Sequence, residues 1–235
     1  MAAVGVASFG PLDLDPRSPR RGTIAATPKP GWSGADVAGA FRALGVPVAV
    51  DTDVNGAALA EHRWGAGRGL DVFVYVTVGT GIGGGAVIGG RTLRGAAHPE
   101  MGHLRVPRDR EADRFPGVCP FHGDCLEGLA SGPAMERRWG APPEALPADH
   151  PGWSLEARYL ALGLAAVVAV LAPERIAIGG GVTGQPALLP MVREELRRVL
   201  GGYLAMPDIV PPALGARAGV LGGVALALDA LGVAG

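Results

Sequence analysis

Cys119-x-x-His122-x-x-Cys125 places two thiols and an imidazole at three-residue intervals, and His103 lies upstream as a fourth donor. Two thiolates and two imidazoles make a tetrahedral zinc set with no open position, which points to a structural ion instead of a catalytic one. Pro120 and Gly123 break any regular element there and let the donors converge. The plainer reading is a free or disulfide-linked cysteine pair beside incidental histidines. Three of the five histidines, His98, His103 and His122, crowd near the two cysteines, and that crowding favours a metal.

A second chemistry is suggested by Gly79-Thr80-Gly81-Ile82-Gly83-Gly84-Gly85, with five glycines in seven positions. Gly79, Gly81 and Gly84 match G-x-G-x-x-G, but the dinucleotide fingerprint needs a helix to begin within the glycines. Here a short strand follows, so that match is a decoy. Bare backbone N–H groups in a glycine-lined turn still form an anion-binding concavity, and phosphate is the anion this one would hold. A plain tight turn needs only one or two glycines. No G-x-x-x-x-G-K-[ST] occurs, and Lys29 is the one lysine among 21 basic residues.

Asp53 stands just beyond a short β-branched run, in Asp51-Thr52-Asp53-Val54-Asn55. A carboxylate at a strand's C-terminal end, beside a phosphate site, is where a general base for phosphoryl transfer would stand. The same carboxylate could cap the helix that follows, and the sequence leaves both readings open. Glu100 and His103, separated by Met101-Gly102, add a further carboxylate and imidazole.

These residues need elements to hold them. Val4 to Phe9 and Gly22 to Thr27 read as short strands, followed by the turn Thr27-Pro28-Lys29-Pro30-Gly31-Trp32. Ser33 is a candidate N-cap for a helix over 34–44. Val46 to Val50 is a strand ending at Asp51, and Val54 to Trp64 an Ala-rich helix, so Asp51 and Asp53 fall at the junction. Asp71 to Val78 is a continuous apolar strand of the kind covered on both faces. Ala86 to Ile88, Gly89-Gly90 and Thr92-Leu93 form a hairpin signal. After the loop at 98–124 come a helical stretch, a long helix over Leu155–Leu171, a strand over Arg175–Ile178, the turn Gly179-Gly180-Gly181, and helices over Leu188–Leu200 and Gly219–Leu231. Strands alternating with helices, with one hairpin, give an α/β architecture with a mixed sheet.

The chain has 235 residues, enough for one large domain or two small lobes with a real core. Gly and Pro together approach a quarter of it, but 48% hydrophobic content argues against disorder. A formal charge of -1 supplies no electrostatic footprint for nucleic acid or anionic lipid, so neither is expected as a partner. The longest uncharged stretch, Leu160 to Ala172, falls short of a membrane span and reads as a buried helix. No apolar segment behind a basic start opens the chain, which reads as cytoplasmic.

Taken together, these segments resemble the ROK family of bacterial sugar kinases, most closely its fructokinase branch. The resemblance implies an actin-like, ribonuclease-H-like fold of two lobes closing over a hexose and ATP, with Mg2+ accompanying ATP and a structural Zn2+. The catalytic aspartate of the family falls on Asp53, ahead of Asn55-Gly56-Ala57-Ala58, with Asn55 as a sugar ligand. The Glu-x-Gly-His signature falls on Glu100 and His103, and Cys-Leu-Glu on Cys125, Leu126 and Glu127; Glu100, His103 and Glu127 would bind sugar. His103, Cys119, His122 and Cys125 would hold the zinc, while Gly79, Thr80, Gly81, Gly83, Gly179, Gly180 and Gly181 would face the nucleotide. Residues 1–68 with the helix 219–232 would form the first lobe, and residues 69–218 the second. Thr52 stands where most of the family has Asn, and Cys119-x-x-His122 where most has Cys-x-Cys; both look like the fructokinase branch, as does the Thr27 to Trp32 turn. The family's opening Asp-x-Gly-Gly-Thr phosphate loop is not among these residues, so the first lobe is expected to be incomplete.

The expected reaction is phosphorylation of D-fructose to D-fructose 6-phosphate by a homodimer. Glucose, mannose or an N-acylmannosamine are the alternative hexoses, and a zinc-stabilised sugar binder without turnover is the alternative function.

Overall fold

Val4–Ser8 (β1) and Val48–Thr52 (β2) pair in parallel, in a register that sets Ser8 opposite Thr52. Phe9 and Asp53 therefore follow side by side at the C-terminal end of this two-stranded sheet. Asp53–Trp64 (α2) starts as β2 ends, and its Ala-rich stretch from Ala57 to Ala60 is buried. Ala218–Ala230 (α7) packs on β1 and α2. The approach is close because glycines meet: a side chain on Gly222 would strike the backbone of Gly56.

The structure, a computed structural model, describes residues 1–233. It divides into two compact units. One comprises Met1–Tyr75, Gly85–Pro99 and the segment from Pro212 onward; the other comprises Val76–Gly84 and Glu100–Pro211. The division does not run at 68/69, because Val72–Val78 (β3) and Ile82–Ile88 (β4) each contribute residues to both units. With Arg91–Thr92 (β5), Arg175–Gly179 (β6) and Asp208–Val210 (β7) they form a mixed sheet of order β5-β4-β3-β6-β7. β5 turns back on β4 through Gly89-Gly90, both at positive φ, as the hairpin signal requires. β6 and β7 are parallel.

Two expectations fail between β1 and β2. Gly22 to Thr27 is not a strand; only isolated bridges, Leu12 to Ile24 and Thr23 to Asp36, form there. The helix expected over 34–44 shrinks to Gly39–Arg42 (α1). Glycines 22, 31, 34 and 45 all take positive φ and interrupt both patterns. Ser33 caps no helix; its hydroxyl bonds back to Thr27 and closes the Pro-rich turn. A small core of Leu12, Leu14, Ile24, Ala38 and Val50 holds this segment together.

In the second unit, Leu126–Ala130 (α3), Gly132–Trp139 (α4), Gly152–Leu171 (α5) and Leu188–Leu200 (α6) surround their part of the sheet. α5 begins three residues before the expected start and runs for 20 residues, long and apolar enough by composition to cross a membrane. Half of its apolar window is buried within the protein, and it carries the buried Glu156.

Candidate active site

The β2–α2 junction settles which residue caps the helix. Thr52, extended at ψ 155°, is the N-cap; its hydroxyl accepts from the Asn55 N–H at 3.1 Å. Asp53 is the first helical residue and accepts the neighbouring Val54 N–H at 2.9 Å, so the capping role the sequence left open for Asp53 belongs to Thr52. Asp53 keeps contact with solvent, yet the surrounding protein desolvates its carboxylate and raises its pKa above the ordinary value. The Val54 N–H, and then Lys29 and His98, pull it back.

Asp51 lies beneath, fully buried. It accepts from the Thr52 N–H, Asn55 Nδ2, the Thr92 hydroxyl and the Arg94 guanidinium, at 2.6 to 3.1 Å. One carboxylate thus ties the end of β2, the first turn of α2 and the segment after β4. Asn55 is itself fully buried, held by Asp51, and its carbonyl oxygen has no partner. Gly85 of β4 lies against the same turn, where any side chain would meet the backbone of Val54 and Asn55.

In the second unit, the donor atoms of His103, Cys119, His122 and Cys125 lie within 4.8 Å of one another. His103 Nδ1 is 3.5 Å from Cys125 Sγ and 3.7 Å from Cys119 Sγ, and His122 Nδ1 is 3.7 Å from Cys119 Sγ and 3.3 Å from His103 Nδ1. A tetrahedron with metal–sulfur bonds of about 2.3 Å and metal–nitrogen bonds of about 2.0 Å has edges of about 3.3 to 3.8 Å, so four separations match. The donor set therefore fits a tetrahedral ion. The loop achieves this by bridging Cys119 back to Gly123 and turning at Gly123 with positive φ. Burial pushes the Cys125 thiol up to about 11, so a cation is what would convert it to thiolate near neutrality.

Cys125 precedes α3, which makes Glu127 the second residue of that helix. Its carboxylate accepts the Ile82 N–H at 2.9 Å, at the start of β4. A side chain on Gly81 would come within 2.6 Å of the same oxygen. Glu100 is exposed and opens a 3-10 turn over Met101–His103. Hence the metal cluster, Glu127 and Glu100 come from one short run of structure.

The two glycine segments also meet. Gly79, Thr80 and Gly81 turn between β3 and β4, with the Gly79 N–H donating to the Gly81 carbonyl at 2.9 Å and Thr80 exposed at the tip. A side chain on Gly79 would lie 3.8 Å from the Gly181 nitrogen. Gly179 ends β6, and Gly180, at φ 101°, packs against the backbone of Val78. Gly83 is inside β4 rather than in the turn.

The sequence profile of the ROK family matches residues 1–230. The chain belongs to the ROK family. It is 49% identical to the fructokinase of Zymomonas mobilis over 239 aligned residues, covering 97% of this chain and 78% of that one. Among solved structures it is similar to a ROK hexokinase from Thermus thermophilus, with a TM-score of 0.82 and 35% identity, covering 99% of this chain and 80% of that one. It is also similar to a ROK family glucokinase from Streptomyces griseus in complex with glucose and AMPPNP, with a TM-score of 0.79 and 28% identity, covering 97% and 82%.

Two residues of this ROK chain were not singled out from sequence. The Gly132 N–H, first in α4, donates to the Gly79 carbonyl at 2.7 Å, and Ser131 caps that helix from a buried position. The Ser131-Gly132-Pro133 order, an N-cap followed by Pro in the first turn, was the available signal.

Proposed function

We propose that this ROK protein phosphorylates D-fructose at its 6-hydroxyl with MgATP, as a cytoplasmic enzyme. The observation that carries the choice of sugar is the 49% identity to a fructokinase across nearly the whole chain. In this reading Asp53 accepts the hydroxyl proton as the sugar oxygen bonds to the γ-phosphorus and the bond to ADP breaks. An exposed carboxylate, released from capping by Thr52 and already raised in pKa, suits that task. Asp51 holds the first turn of α2 from behind, and Asn55, whose carbonyl oxygen has no partner, would be a further sugar ligand. Glu100, His103 and Glu127 would bind the sugar hydroxyls. The turn at Gly79, Thr80 and Gly81, with Gly179, Gly180 and Gly181, would face the ATP phosphates; Gly83 would support that turn from the strand.

Zinc would be held by His103, Cys119, His122 and Cys125, leaving no open position and serving to shape the sugar loop. Magnesium would arrive on the ATP phosphates and neutralise charge during transfer. ADP release by the full-length protein, measured with fructose, glucose, mannose and N-acetylmannosamine in turn, tests the reading. The highest kcat/KM belongs to fructose. A higher value for another hexose would overturn the sugar assignment, and no ADP release with any of them would overturn the reaction.

A further inference from the structure

Lys29 is the chain's single lysine, and the fold gives it a built seat. Its ammonium lies 3.4 Å from the centroid of the Phe9 ring, and Phe9 meets Trp32 edge-on with centroids 5.1 Å apart. The Pro-rich turn carries both Lys29 and Trp32 onto one phenyl ring, with Ser33 bonding across its base to Thr27. Phe9 directly follows Ser8 in β1, as Asp53 directly follows Thr52 in β2, and Ser8 and Thr52 are register partners. The cation is thus held at the same end of the same two strands as the carboxylate, where parallel sheets place their ligands. A cation on an aromatic face is attracted by the ring quadrupole, which favours this position of the exposed ammonium.

The other positive candidate near Asp53 is differently occupied. His98 is buried; its Nε2 accepts the Leu12 N–H at 3.0 Å, and its Nδ1 faces the Pro99 carbonyl at 3.3 Å. Asp51 and Arg94, behind Asp53, pair with each other and offset. The Lys29 field acts on the Asp53 carboxylate in the direction of ionisation, ahead of that of His98.

We propose that Lys29, seated on Phe9, is a positioning residue for the transfer reaction: it supplies the fixed positive charge that keeps Asp53 ready to accept a proton. The proposal rests on the reading of Asp53 as base. Desolvation works against ionisation at Asp53, and Lys29 is the opposing device. The charge acts through Asp53 and not on the sugar, so Lys29 should set the pH range of activity more than sugar affinity.

The test replaces Lys29 by Met, which keeps the apolar stem, and by Arg, which keeps the charge. In the full-length protein, Lys29→Met should move the acid limb of kcat/KM to higher pH by about half a unit or more. On the acid side of the limb the loss should be about threefold or greater, shrinking on its alkaline side, with the KM for sugar changed less than twofold. Lys29→Arg should restore the limb. Carboxyl carbon NMR, with Asn substituted at position 53 to assign the resonance, should show the Asp53 titration rising by the same amount in Lys29→Met. An unmoved Asp53 titration in Lys29→Met overturns the proposal, as does a Lys29→Arg that behaves like Lys29→Met. Failure of the base reading is a separate result, full turnover in Asp53→Asn, which leaves the NMR arm to decide the coupling.

Discussion

At the start of α2 the cap falls to Thr52, and the adjacent Asp53 is left out of that role. The Thr52 hydroxyl satisfies the helix N-terminus, and Asp53 is left facing solvent with its pKa raised by desolvation. A carboxylic acid whose folded pKa lies above its unfolded value holds its proton more tightly when folded. Stability is then full below the unfolded pKa and declines as pH rises through the folded one. Asp53→Asn removes that decline, so its melting temperature at pH 8 should equal or exceed the parent's while kcat falls by at least ~10²-fold. Thermal melts and steady-state rates on one preparation check both halves, and near-normal turnover would return Asp53 to a purely structural place. Glu156 poses the same linkage without the function. It is fully buried on α5, both oxygens lack partners, and burial raises its pKa well above the usual range, with Arg138 pulling it back. Burial therefore favours its neutral form. Glu156→Gln should match the parent in stability near pH 4 and exceed it at pH 8. A variant less stable at pH 8 would mean that Glu156 is ionised against Arg138 after all.

Among the elements, α2 is held at both ends by buried carboxylates. Asp51 gathers its first turn; Glu61, in its last turns, accepts the N–H groups of Ala66 at 2.7 Å, Ala213 at 3.1 Å and Leu214 at 2.8 Å. The second staple joins α2 to the segment leading into α7. Glu61→Ala would strand three donors at about 1 kcal/mol or more each, a loss of about 3 kcal/mol. Urea unfolding should show a lower midpoint, with Glu61→Gln intermediate because it keeps one carbonyl acceptor. Neither staple was legible in the sequence, because each joins residues more than 35 positions apart. What was legible was local. Apolar runs gave β1, β2, β3 and β6, and the glycine pair gave the hairpin to β5. The stretch between Gly22 and Leu44 was misread because its hydrophobic spacing is helical or extended only in patches, and positive-φ glycines decide it. Asp208–Val210 escaped notice because three residues beside prolines carry no periodicity, and pairing with β6 defines the strand.

On the scale of the whole molecule, the chain enters the second unit twice, so no boundary in sequence marks the division; composition and spacing show an α/β fold, not where its units part. The cysteine–histidine cluster was legible because its donors are close in sequence, and its geometry matters for the second unit as a body. Between Leu104 and Cys125 the backbone forms turns, bends and the isolated Cys119–Gly123 bridge, without helix or strand. Its ionic ties run to Asp124, from Arg105 at 2.6 Å, Arg108 at 3.2 Å and Arg110 at 2.5 Å, and to Asp113, from the buried Arg108 at 3.6 Å and Arg138 at 3.3 Å. Arg105 and Arg110 are exposed, and such pairs contribute at most about 1 kcal/mol each, less in salt. A tetrahedral ion bound by four deprotonated donors would be the stronger crosslink, and because it would favour the folded loop its removal would subtract directly from stability. Freshly purified, reduced protein should therefore carry about one zinc per chain. Chelation should lower the melting temperature by at least ~5 °C, while raising the salt to about 1 M, which screens the arginine pairs, should lower it less. Cys119→Ser should reproduce the chelated melting curve and be indifferent to chelator. Protein that contains no zinc by elemental analysis, with a melting temperature unmoved by chelation, would show that the arginine pairs and core packing suffice to hold the loop.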